Sequence, residues 1–165
     1  MSKFIPLNDI KKNYLSIKKE IDNSIQQVIN KTDFILGSEV KKFESKFANF
    51  LNIKYCAGVS SGTSAIELAL RACDIGNGDE VITTPHTWVS TAEAISNVGA
   101  KPILVDINKD TWLMDIDEIK KNITKKTKAI ILVHLYGFAY DYNDILKLKK
   151  YNLKIIEDCA EAIGS

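Results

Sequence analysis

The chain has 165 residues, 45% apolar and 26% charged, which is the balance of an ordinary globular domain. Its formal net charge of +1 gives no electrostatic reason to expect nucleic acid or an acidic membrane as a partner. Three cysteines without paired spacing argue against a disulfide framework, and no metal-ligand spacing occurs, so we expect no metal. The sequence shows neither a signal peptide nor an apolar run of membrane-spanning length, so we expect the cytoplasm.

Helical periodicity covers the first fifty residues in two segments, with Asp33 to Gly37 as the joint between them. Ser38 follows this joint and is the predicted N-cap of the second helix. We expect residues 1–52 to form an N-terminal helical segment and residues 53–165 to belong to a different domain. The apolar positions that set the period are Tyr14, Ile17, Ile21, Ile25 and Val28, then Val40, Phe43, Phe47, Phe50 and Leu51.

From Lys54 onward, short β-rich runs alternate with helical patterns. This order predicts an α/β fold, with a mostly parallel sheet and helices on both of its faces. Ligands of such sheets bind at the carboxyl ends of the strands. The predicted strands are Tyr55 to Val59, Glu80 to Thr83, Pro102 to Val105, Lys128 to His134, and Leu153 to Glu157; the predicted helices are Thr63 to Cys73, Trp88 to Asn97, Asp115 to Lys121, and Asp141 to Tyr151.

Three predicted strand ends carry residues that suit a phosphorylated aromatic ligand. Ser61, Gly62 and Thr63 open a helix, where free backbone N–H groups either bind a phosphate or are simply capped by a hydroxyl. Trp88 either stacks on a ligand ring or belongs to the core. Asp158 either pairs with a protonated pyridine nitrogen or caps a turn. Together the three features are what pyridoxal 5'-phosphate (PLP) requires.

Other polar residues at these ends have simpler interpretations. His86 is interpreted as a loop residue and His134 as a hydrogen-bonding group at a strand end. Cys159 is interpreted as a packing residue, because no general base stands near it in the sequence. Glu67 and Arg71 have the spacing of an ion pair on one helix.

The chain resembles the DegT-type (DegT/StrS) sugar aminotransferases, which are fold type I PLP enzymes. The resemblance runs across essentially the whole chain, and its motifs occur in family order. The matching segments are Phe34 to Gly37, Val59 to Ala65, Gly78 to Ile82, Thr87 to Thr91, Val133 to Gly137, and Ile156 to Ala162.

The resemblance implies a role for each matching residue. Ser61, Gly62 and Thr63 would bind the PLP phosphate, Trp88 would stack on the pyridine ring, and Asp158 would pair with its nitrogen as the catalytic carboxylate. Glu161 takes the place where the family usually has Gln or His near the ring hydroxyl, so this contact departs from the family pattern. Residues 53–165 would be part of an aspartate-aminotransferase-like large domain.

The resemblance also implies an activity and its partners. We expect transamination of a nucleotide-diphosphate-linked keto-deoxyhexose with glutamate as amino donor, in a homodimer. The family's Schiff-base lysine has no counterpart in these residues, so we expect the chain to be a fragment that is inactive alone. A PLP-dependent sugar dehydratase, in which His replaces that lysine, and a non-catalytic regulatory product are the alternatives. The sugar, the nucleotide and the 3-keto or 4-keto position stay open.

Overall fold

The computed structural model describes residues 6–165, which divide into two compact units. The first unit reaches to Gly58 and the second runs from Val59 to Ser165. The first contains helices α1 (Ile10–Lys31) and α2 (Ser38–Phe50). No side chain of α1 is buried, and its apolar residues Ile17, Ile21 and Ile25 are 40%, 38% and 55% exposed. The predicted N-terminal helices are therefore present, and α1 has an exposed apolar face.

The predicted N-cap of α2 was wrong by one residue. Gly37 occupies the cap position, without a side-chain bond, and Ser38 is already helical. Asp33 takes over the capping function across the joint, because its Oδ2 accepts the Ser38 N–H at 2.7 Å. Only glycine fits position 37 in this arrangement, since an added Cβ would lie 2.3 Å from the Asp33 carbonyl oxygen.

The second unit is built on a parallel sheet of four strands in the order β2-β1-β3-β4. Helices connect the strands, as predicted. The bounds are α3 (Gly62–Ala72), β1 (Glu80–Thr83), α4 (Ser90–Asn97), β2 (Lys101–Leu104), α5 (Ile116–Lys121), β3 (Thr127–Val133), a 3-10 turn (Leu135–Gly137), α6 (Tyr142–Lys149) and β4 (Lys154–Asp158).

The sheet is covered on both faces, as predicted. Strand alternation sends Ile131 of β3 into a core with α3 and α4, whereas Ile130 enters a second core with α5 and α6. On β4 the same alternation places Ile156 against the first core and Ile155 against the second. Successive side chains of a strand therefore lie on opposite faces of the sheet.

Two local predictions in this part of the chain were wrong. Tyr55 to Val59 form no strand, because no described strand pairs with them; the Gly58 N–H instead binds the Glu44 carboxylate at 2.7 Å. Glu67 and Arg71 do not pair with each other. Asn97 of α4 lies between them, donating a hydrogen bond to Glu67 at 2.7 Å and accepting one from Arg71 at 3.4 Å. Glu67 and Arg71 therefore connect α3 to α4.

No helix within residues 6–165 has both the length and the apolar character needed to cross a membrane. In the same range, no group of three His, Cys, Asp or Glu side chains is arranged to hold a metal ion.

Candidate functional site

The strand order places a crevice between β1 and β3. The chain moves outward from β1 to β2 on one side and then returns to β3 on the other side of β1. The loops that leave β1 and β3 therefore diverge at their carboxyl ends, which is where open α/β sheets bind ligands. Two adjoining cavities lie between these loops, and both are lined by Thr87, Trp88, Leu135 and Glu161.

The first cavity, here the Asp158 cavity, has a volume of about 260 Å³. In addition to the shared residues it is lined by Val133, His134, Asp158 and Ala160. Asp158 is the last residue of β4 and is half-buried. Its Oδ1 accepts the Ala160 N–H at 3.1 Å, and its backbone carbonyl accepts the His134 N–H at 3.0 Å. Main-chain bonds thus fix the position of this carboxylate.

Glu157, the neighbour of Asp158, lies in a different cavity. Strand alternation directs it away from Trp88 into a cavity of about 390 Å³ that Tyr140 and Cys159 also line. There its Oε2 lies 3.0 Å from Nε2 of His134. Trp88 and Asp158 therefore line one cavity, and Glu157 lies on the other side of β4.

His134 is 4% exposed, and its hydrogen bonds assign its tautomer. Nδ1 accepts the Tyr140 N–H at 3.2 Å, so Nε2 carries the ring proton and donates a hydrogen bond to Glu157. Tyr140 in turn accepts the Met114 N–H through its hydroxyl at 2.8 Å. Burial raises the pKa of Tyr140 to about 12, although the Met114 bond opposes this shift. His134 is therefore a hydrogen-bonding group at the strand end, as the sequence indicated.

Trp88 and Glu161 form the boundary between the two cavities. The Trp88 side chain is 78% exposed, so it is not part of the core. Glu161 is also exposed, and its Oε2 accepts the Tyr136 N–H at 2.7 Å. Tyr136 has φ 57°, a left-handed conformation that is unusual for an aromatic residue. Glu161 therefore holds the turn after β3, a role that its position in the sequence did not reveal.

The α3 N-terminus has the features of an anion site but lines neither cavity. Ser61 caps the helix by accepting the Ser64 N–H at 3.1 Å, and its carbonyl accepts the Ala65 N–H at 3.0 Å. The preceding N–H groups, of Gly62 and Thr63, have no intrahelical partner by the rule of helix ends. Apart from its chain neighbours and the α3 backbone, no described atom lies within 4 Å of the position that a Cβ of Gly62 would take. The structure thus brings Trp88, Asp158 and Glu161 together and leaves Ser61, Gly62 and Thr63 outside their cavities.

The second cavity, here the His86 cavity, has a volume of about 320 Å³ and is lined by Pro85, His86 and Tyr136 besides the shared Thr87, Trp88, Leu135 and Glu161. The His86 ring packs beside Trp112 at 5.4 Å and Tyr136 at 6.2 Å between centroids. Sequence reasoning missed Trp112 and Tyr136. The one available signal was an aromatic residue following a strand, which is weak taken alone.

Cys159 matches its interpretation as a packing residue. Burial raises the pKa of its thiol, and the nearby Glu157 and Asp158 carboxylates raise it further. The reactive thiolate is therefore disfavoured at this position.

The model of the DegT/DnrJ/EryC1/StrS aminotransferase family matches residues 15–165. The chain belongs to this family. A similar protein is the dTDP-3-amino-3,6-dideoxy-alpha-D-galactopyranose transaminase of Aneurinibacillus thermoaerophilus, which is 46% identical over 98% of this chain and 45% of its own length. The chain thus spans about half the length of the curated relatives it matches.

Solved structures of aminotransferases have the same fold. The S. venezuelae DesV structure, in complex with a ketimine intermediate, has a TM-score of 0.94 and 36% identity over 98% of this chain and 44% of its own. An E. coli GDP-4-keto-6-deoxy-D-mannose-3-dehydratase with bound hydrated PLP has a TM-score of 0.76 and 31% identity over 82% of this chain and 37% of its own. The fold predicted from the sequence is therefore confirmed.

Proposed function

We propose that the full-length protein is a PLP-dependent aminotransferase that acts on a nucleotide-diphosphate-linked keto-deoxyhexose. The observation that carries this proposal is the shared cavity of Trp88 and Asp158 at the sheet's switch point, in a chain of this aminotransferase family. The similar transaminase acts on a dTDP-linked 3-amino sugar, which supports a nucleotide sugar with a 3-keto group as substrate.

The residues present fit PLP in chemical type. An exposed indole offers a flat apolar surface for the pyridine ring. A half-buried carboxylate, held by main-chain bonds, offers the negative charge that a pyridinium nitrogen requires. The α3 N-terminus, with open space at Gly62, offers N–H donors and a positive dipole end for the phosphate. Ser61, Gly62 and Thr63 are therefore the proposed phosphate residues, and residues 53–165 the proposed part of the PLP-binding domain.

Each residue has a defined task in the proposed reaction. Bound PLP withdraws electrons from the substrate carbon that carries the transferred nitrogen. Asp158 keeps a proton on the pyridine nitrogen by charge pairing, which strengthens as water is excluded from the cavity. Trp88 orients the ring and covers one side of it. The bond from Ala160 N–H to Asp158 fixes the carboxylate, so that no reorganisation is needed when charge develops.

Glu161 is the proposed residue beside the PLP ring hydroxyl. Its Oε2 is engaged by the Tyr136 N–H, whereas its Oε1 has no hydrogen bond within residues 6–165. We propose that Glu161 would lie beside the ring hydroxyl and that the Tyr136 N–H fixes its carboxylate from the other side.

Glutamate is the proposed amino donor, and a homodimer is the proposed assembly. The exposed apolar face of α1 supports association, because such a face is stabilised when a partner covers it. A cytoplasmic location is also proposed, because three cysteines without paired spacing favour a reducing compartment.

The deciding experiment is an amination assay of the purified full-length protein with PLP, glutamate and dTDP-linked 3-keto-6-deoxyhexose. We expect 2-oxoglutarate and an amino sugar in equal amounts. A deoxygenated sugar in place of the amino sugar would identify a dehydratase, the reaction named for the similar E. coli enzyme. No PLP binding and no product would contradict the proposal.

A further inference from the structure

We propose that the His86 cavity receives the sugar ring of the nucleotide-linked substrate. This inference rests on the proposed function, because it takes the substrate class from there. It adds a location and a set of contacts that involve His86, Trp112 and Tyr136, none of which is assigned to PLP.

Two aromatic side chains of the cavity lining, Trp88 and Tyr136, are 78% and 71% exposed. Trp112, 54% exposed, packs against the His86 ring beside the cavity. Large aromatic side chains left in water at and beside one cavity indicate a binding surface. The apolar C–H face of a deoxyhexose suits such rings, since aromatic residues bind flat, partly apolar groups.

The walls of the cavity supply polar groups in addition to the rings. Thr87 lines the cavity and contributes a hydroxyl. His86 Nε2 is buried and has no hydrogen-bond partner within residues 6–165. A buried polar atom without a partner is costly, and a hydroxyl group of a ligand would satisfy it. Acceptors and donors between aromatic rings match a ring that carries hydroxyl groups.

The aromatic residues beside His86 are held in unfavourable backbone conformations. Trp112 has φ 63° and Tyr136 has φ 57°, values that cost bulky side chains free energy. Because Nε2 has almost no exposed surface, a ligand must displace a neighbouring ring to reach it. Tyr136 is the more exposed of the two, so we infer that its side chain moves when the sugar enters.

The position of the cavity agrees with this assignment. It adjoins the Asp158 cavity across Trp88 and Glu161, so a sugar here stands beside the proposed PLP ring. Its volume of about 320 Å³ is at the lower end for ligand pockets, which suits one sugar ring and leaves the nucleotide outside.

The test compares nucleotide sugars with their nucleotides on the full-length protein. The affinities of dTDP-glucose, UDP-N-acetylglucosamine and GDP-mannose are measured by calorimetry beside those of dTDP, UDP and GDP. The ratio within each pair isolates the contribution of the sugar. Tyr136→Asn and Trp112→Asn are the variants, because Asn tolerates a positive φ and replaces the aromatic ring with a small amide. Tyr142→Ala removes an aromatic side chain that is 65% exposed and lies outside the cavity, so it is the control.

We expect at least one nucleotide sugar to bind more tightly than its nucleotide. The ratio should fall about fivefold in Tyr136→Asn and Trp112→Asn, with nucleotide affinity unchanged, and should be unaffected in Tyr142→Ala. A ratio of one for all three pairs, or a ratio that survives both variants, would overturn the assignment. PLP binding is measured separately by absorbance. Ring-dependent sugar binding without PLP binding would support the cavity and reject the aminotransferase, and the converse result would do the opposite.

Discussion

At the scale of single residues, the site depends on which way two adjacent carboxylates point. Glu157 bonds with His134 on one side of β4, and Asp158 lines the cavity with Trp88 on the other. Alternation along a strand is enough to separate them. The sequence places three carboxylates within five residues, and the register of β4 decides which of Glu157 and Asp158 lines the cavity with Trp88.

Replacing these carboxylates one at a time tests that separation. Asp158→Asn keeps the shape and removes the charge that would hold a proton on the pyridine nitrogen in the proposed site. Losing a charge partner in a desolvated site costs about 3 kcal/mol, so we expect single-turnover amination by full-length protein to fall at least about a hundredfold. Glu157→Gln still accepts from His134 Nε2 and should have little effect. Equal losses in the two variants would show that the wrong carboxylate has been assigned.

Tyr140 makes the stability of the protein dependent on alkaline pH. Its pKa is raised to about 12 by burial, from its ordinary value of 10.0, so the folded state favours the neutral phenol. The unfolded chain loses this proton first as the pH rises. The stability contributed by the neutral form is therefore complete below about pH 10 and is lost progressively up to about pH 12.

The expected loss attributable to Tyr140 is about 1.4 kcal/mol between about pH 8 and about pH 11. Urea unfolding of the wild type, Tyr140→Phe and the exposed control Tyr142→Phe at these two pH values measures it. The unfolding free energy of Tyr140→Phe should fall less with pH than that of the other two proteins. Parallel decreases in all three would contradict the effect of burial.

At the scale of elements, the sequence predicted every strand of the observed sheet to within one residue at each end. Apolar runs bounded by polar residues were sufficient, because both faces of this sheet are buried. The predicted strand Tyr55 to Val59 was wrong because β-rich composition indicates only that residues suit a pleated, half-buried surface. Strand pairing also requires a partner strand elsewhere in the chain. The prediction that Glu67 and Arg71 form an ion pair was also wrong, because the contacts of both residues with Asn97 depend on how α3 and α4 pack.

The candidate site was predictable to a similar extent. Trp88 and Asp158 could be placed together because both follow parallel strands. The cavity lined by His86 and Tyr136, with Trp112 beside it, was not predictable, because left-handed aromatic residues have no sequence signature. Nor did the sequence indicate that Glu161 binds the Tyr136 N–H, a contact between segments 25 residues apart.

The N-terminus of α3 offers a test that separates binding from stability. Gly62 has ordinary helical geometry and open space at its Cβ position, so Gly62→Ala should leave the unfolding free energy unchanged or slightly higher. The added methyl group would obstruct a phosphate that approaches the backbone. We expect PLP affinity of the full-length protein, measured by equilibrium dialysis, to fall about tenfold, or about 1.4 kcal/mol.

Gly76→Ala is the matched control, since its added Cβ would meet only the Val98 carbonyl oxygen at 3.5 Å and it lies outside the candidate site. PLP affinity should be unchanged in this variant. Unchanged affinity in Gly62→Ala as well would place the phosphate elsewhere.

At the scale of the whole molecule, the apolar face of α1 is the feature that calls for a partner. Ile21 and Ile25 lie on this face, whereas Gln27 is an exposed polar residue of the same helix. We expect Ile21→Glu together with Ile25→Glu to shift the full-length protein from dimer to monomer in sedimentation velocity. Gln27→Glu, which adds charge without removing apolar surface, should not. A dimer that resists the double substitution would exclude this face as the interface.

The hydrogen bond from His134 N–H to the Asp158 carbonyl has a consequence for how the site can be observed in solution. It continues the β3 to β4 ladder one residue beyond the last paired positions, Val133 and Asp158. A ladder's terminal bond opens when the strand ends separate, so the exchange of this amide proton with deuterium reports local opening at Asp158 itself. Slower exchange of the His134 amide proton as PLP is added would therefore show that PLP reduces this local opening. The measurement requires no substrate, so it can also be made on a catalytically inactive variant.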